Sequence, residues 1–141
     1  MSSTAAPAAP RPAETVVRIA GGALVVWLAV LAAVCEAFLV PLRVGGVRAP
    51  VALLLAVVGN LGLPWLARWL GRSRPVTMLP ALAWFLIIVV LAGGTTEGDV
   101  VLAGNDWVAL GLPLVGSVAA AAGAYFALVG KGPEWIAGSG G

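Results

Sequence analysis

Residues 19–42 read IAGGALVVWLAVLAAVCEAFLVPL, 24 consecutive positions carrying a single charge, Glu36. An α-helix rises 1.5 Å per residue, so about 20 apolar residues cross a hydrocarbon core of about 30 Å. A membrane β-strand would instead alternate polar and apolar side chains over about 10 residues. Neither Ala23–Val34 nor Ala81–Leu91 alternates. The stretch therefore predicts a transmembrane helix, and the same reading extends along the chain. Between charges lie 19 residues after Arg48, 22 after Arg74 and 24 after Asp106, all uncharged. The expectation is an all-α polytopic membrane protein with four transmembrane helices, over about 19–42, 49–68, 75–95 and 107–130.

Composition agrees. Of 141 residues, 61% are hydrophobic and 10% charged, with a mean hydropathy of +1.05. An ordinary soluble domain has about 25% charged residues and a small one buries only about two-thirds of its surface. A water-soluble globule, a disordered chain and a nucleic-acid binder are thereby excluded. The chain has no histidine, which removes histidine-dependent zinc sites and Ser-His or Cys-His catalysis. Its single cysteine, Cys35, cannot form an internal disulfide. No cofactor, metal site or enzymatic activity is expected.

Arg11, Arg18, Arg68, Arg72, Arg74 and Lys131 flank one set of helix ends, whereas Arg43 and Arg48 alone flank the other. The positive-inside rule then puts both termini in the cytoplasm. Residues 1–15 form an Ala/Pro-rich tail expected to be disordered, residues 16–131 the bundle, and residues 132–141 a short C-terminal tail. The first apolar run is too long for a signal-peptide core and lacks a clean cleavage site. Trp65, Trp69, Trp107 and Trp135 stand near helix ends, where indoles anchor at the interface.

Glu36 is the one charge inside a span, and intramembrane carboxylates are costly and often functional. Ala29, Ala32 and Ala33 share its helix face, a small-residue surface suited to another helix. Two partners are expected for it: Arg43, at i+7, and Asn60, in the second helix. Pro64 cannot donate to the carbonyl of residue 60, so Asn60 and Pro64 form a unit that packs, kinks or binds. This polar set, Glu36, Asn60 and Arg43, supports a structural tie, a proton- or cation-binding site, or a contact with a partner subunit.

The outer loop TTEGDVVLAGND, residues 95–106, carries Glu97, Asp99 and Asp106. This acidic cluster is expected to dock on Arg43 and Arg48; weak divalent-cation binding is the competing reading. The basic loop RWLGRSRP, residues 68–75, lies beside the anionic cytoplasmic leaflet. In the fourth helix, Gly116, Ala120, Ala124 and Ala119, Gly123, Ala127 form two small-residue stripes. One is expected to serve the bundle and the other a second copy or a membrane-protein partner. Tyr125, between them, is expected to pack with a hydrogen-bonded hydroxyl.

Trp84-Phe85-Leu86, then Glu97-Gly98-Asp99, then the Gly/Leu-rich Leu110–Gly116 resemble a family of small, uncharacterised four-helix integral membrane proteins of actinobacteria. The resemblance runs from Trp84 to Ala127, about a third of the chain. It implies the fold and a bacterial cytoplasmic-membrane location, with no catalytic residues to carry over. The functional expectation is a non-enzymatic accessory or scaffold subunit. The alternative is a small oligomeric proton- or cation-coupled transporter using Glu36.

Overall fold

A computed structural model describes residues 6–94 and 106–130. It contains helices α1 (Pro12–Leu39), α2 (Val51–Gly71), α3 (Arg74–Ala92) and α4 (Trp107–Val129). All four are long and apolar enough to cross a membrane. Glu97, Asp99 and Trp135 lie outside the described residues.

α1 starts seven residues before position 19, so the tail expected to reach residue 15 ends earlier. Pro12 suits the first helical position, where a missing N–H costs nothing. Glu14 favours the positive helix end and pairs with Arg18 at 2.5 Å. α1 stops at Leu39, just before Pro41.

The all-α expectation needs one small correction. Strands β1 (Arg43–Val44) and β2 (Val47–Arg48) pair antiparallel between α1 and α2. Gly45 and Gly46 join them with φ of +59° and +83°. Positive φ at both central residues defines the turn whose twist matches a two-residue hairpin. The α2–α3 connection is tighter still. Arg72, at φ 50°, closes α2 in the left-handed region, and extended Ser73 opens α3.

α2 touches all three other helices, and α3 also packs on α1 and α4. The interior is built largely from alanine: Ala29, Ala33 and Ala37 of α1, Ala52 and Ala56 of α2, with Trp84, Ile88 and Leu112 as the large members. Large apolar side chains face outward, including Trp27 at 64% exposure and Phe38 and Leu114 at 70%. Small residues inside and large ones outside let backbones approach while presenting an apolar surface to lipid. Water would not tolerate so continuous an apolar exterior.

Both small-residue stripes of α4 are buried within the bundle. The bundle therefore uses both stripes, the role expected for one of them. Tyr125 is outside, 60% exposed and edge-to-face with Phe126 at 5.6 Å, instead of packed between the stripes.

At Gly123, α4 meets α2 so closely that a Cβ would overlap the Asn60 carbonyl oxygen and lie 2.9 Å from Leu61 Cα. The carbonyl concerned is the one Pro64 leaves without an intrahelical donor. The absence of a side chain at Gly123 thus lets α4 close over an oxygen that α2 cannot satisfy itself. α2 runs continuously through Pro64.

Candidate functional site

Glu36 is 1% exposed, on the alanine face of α1 foreseen for it. Its partner is Trp84 of α3, whose Nε1–H donates to Oε2 at 2.6 Å. Oε1 lies alongside Gly59 of α2, 3.7 Å from where a Cβ would stand. The Trp84 ring in turn fills the gap left at Gly116 of α4, where any Cβ would overlap it. One hydrogen bond and two glycines therefore bring all four helices together around a single carboxylate.

Neither expected partner is bonded to Glu36. Arg43 is exposed in the hairpin, directly across from Arg48. The i+7 relation required the helix to continue past residue 39, and it does not. Asn60 is 2% exposed in the second helix, but its Nδ2 has no hydrogen-bond partner among the described residues. Sequence reasoning missed Trp84 as the tie. The available signal was its mid-helix position, away from the interfacial tryptophans, since a buried indole N–H demands an acceptor.

The hairpin end carries a second constellation. Arg48 pairs with Asp106, which is 4% exposed. Asp106 also caps α4, accepting from the Val108 N–H at 3.1 Å. One carboxylate thereby neutralises the arginine that faces Arg43 across the hairpin and satisfies an orphan helix donor. Asp106 is the one member of the expected acidic cluster among the described residues. Asp106→Asn keeps a capping oxygen and removes the charge, and a loss of about 1 kcal/mol is expected. Asp106→Ala removes both functions and should cost about 2 kcal/mol or more. Detergent-solubilised thermal unfolding checks the order; equal losses in the two variants would separate the cap from the ion pair as the cause.

At the opposite end, Arg68 of α2 donates to the Ala127 carbonyl in the last turn of α4. It occupies one of the carbonyls that a helix end leaves unsatisfied.

Fold and site together define a four-helix bundle of membrane-spanning dimensions, tied internally by a buried carboxylate–indole bond. No family model matches the chain, and neither a curated protein nor a solved structure does.

Proposed function

We propose that this chain is a non-enzymatic, multi-pass protein of the bacterial cytoplasmic membrane, with both termini cytoplasmic, serving as an accessory or scaffold subunit. The observation that carries the reading is the engagement of Glu36: its carboxylate is buried and bonded to Trp84 at the junction of the helices. A carboxylate used in this way holds a bundle together. The asymmetry of Arg and Lys between the two bundle ends supports the orientation. The resemblance around Trp84-Phe85-Leu86 supports the bacterial and actinobacterial setting. Purification from the native membrane in mild detergent should retain a stoichiometric membrane-protein partner; a lone monomer, recovered repeatedly, overturns the subunit reading.

One observation favours the transporter alternative. Asn60 Nδ2 is buried without a partner among the described residues, and its chain neighbour Gly59 lies beside Glu36 Oε1. An ion or proton path through the bundle would need such polar groups. Under this reading, Glu36→Gln abolishes proton-coupled transport in proteoliposomes, and transport unchanged by the substitution rejects it.

A further inference from the structure

We propose that the α2–α3 turn forms a binding site for an anionic phospholipid. Its phosphate sits among Arg68, Arg72 and Arg74, and one acyl chain lies in the apolar groove between α1 and α3. The site rests on two neighbouring cavities that share one lining residue. The first, about 310 Å³, is lined by Arg68, Arg72, Ser73, Arg74, Thr77 and Leu128. That volume is roughly ten times a water molecule's share of the liquid, enough for a phosphodiester group. Three arginines line it together with Ser73 and Thr77, the Thr77 hydroxyl donating to the Ser73 carbonyl, and no acid is among the lining residues. Guanidinium is the side chain best matched to phosphate, since it presents paired donors in a plane.

The second cavity, about 500 Å³, is predominantly apolar, with Gly22, Ala23, Val26, Val76 and Leu79 along its walls. Arg18 and Ser73 also line it, and Ser73 lines both cavities. An arginine pocket and an apolar groove that share Ser73 as a wall have together the polarity of a phospholipid, not of a soluble anion. Basic pockets between helices at the cytoplasmic surface take anionic headgroups in this way.

Local structure prepares the pocket. Arg68 is held by its bond to the Ala127 carbonyl, so its guanidinium is placed before any ligand arrives. Ser73 opens α3, yet its side chain makes no capping bond. Arg18 pairs with Glu14 through one terminal nitrogen, while its buried Nε has no partner among the described residues. Arg72 occupies a left-handed conformation that glycine adopts at less cost. An arginine there, lining the pocket, places a positive charge at a local conformational cost. Exposed Trp69 and half-buried Trp65 stand on the adjoining turns of α2, suited to headgroup depth.

The proposal rests on the membrane reading of the helices but not on the subunit reading, because it is tested on the purified full chain. Thermal unfolding and native mass spectrometry in nonionic detergent are compared with added phosphatidylglycerol, phosphatidylcholine and inorganic phosphate. Phosphatidylglycerol should raise the melting temperature saturably and persist as a one-to-one adduct; the other two should do neither. At roughly fivefold per arginine, R72Q/R74Q should weaken phosphatidylglycerol binding about 25-fold. R43Q, at the opposite end, should leave it unchanged. R72G should bind about fivefold more weakly while melting higher without lipid, so misfolding cannot account for its loss. Equal stabilisation by phosphatidylcholine, or unaltered affinity in R72Q/R74Q, overturns the site. Saturable stabilisation by inorganic phosphate alone overturns the lipid as its source.

Discussion

Replacing Trp84 with phenylalanine is expected to destabilise the bundle by about 1.5–3 kcal/mol, chiefly by leaving the Glu36 carboxylate without its donor. Leaving a buried acceptor without its donor costs about 1–3 kcal/mol, whereas interhelical bonds in membranes average only about 0.6 kcal/mol. The larger figure applies because Glu36 is 1% exposed and has little solvent to fall back on. Trp84→Ala should cost more, about 3–5 kcal/mol, since it also empties the space at Gly116. Phenylalanine alone changes shape as well as bonding, so the clean measurement is a double-mutant cycle with Glu36→Leu. Denaturant titration in mixed micelles should give a coupling of about 1 kcal/mol or more. A coupling below about 0.5 kcal/mol would mean that the indole merely packs beside the carboxylate.

The second large effect is expected at Gly123. A leucine there must displace the Asn60 carbonyl and the Leu61 backbone, neither of which can rotate away like a side chain. Overpacking against side chains costs about 1–3 kcal/mol, and backbone overlap should exceed that range. Gly123→Leu is therefore expected to separate α4 from α2 and to yield aggregated protein on size exclusion. Gly111→Ala is the control. The nearest atom to its new Cβ would be Leu53 Cδ2 at 3.4 Å, on a side chain that can yield. A folded, monodisperse Gly123→Leu protein would show that the close α2–α4 contact is not required.

Much of this architecture was legible in the sequence. The helix count and the inward alanine face around Glu36 follow from patterns local to a few turns. The acidic residue that caps α4 was legible as a member of a charged loop, but its capping role was not assigned. The hairpin was missed because Arg43–Arg48 was read as a charged boundary, although Gly45-Gly46 is a recognised two-residue turn pair. Arg43 was matched to Glu36 by counting along a helix that Pro41 does not allow to continue. The stripes of α4 were correctly seen as close-packing surfaces. That the bundle uses both was not, because four alanine- and glycine-rich faces offer many equivalent pairings.

By itself the sequence determined four apolar helical segments and the isolation of Glu36 among uncharged neighbours. Hydropathy over about 20 residues and the position of each charge are properties of the chain alone. Only the tertiary structure decided that Trp84 and not Arg43 or Asn60 meets that carboxylate, and that Gly123 covers the carbonyl freed by Pro64. It also gave a three-arginine pocket and an apolar groove a common wall at Ser73. These are relations between helices. They depend on the depth and rotation at which each helix packs, and in a bundle whose residues are apolar on every side, periodicity within one helix does not specify either.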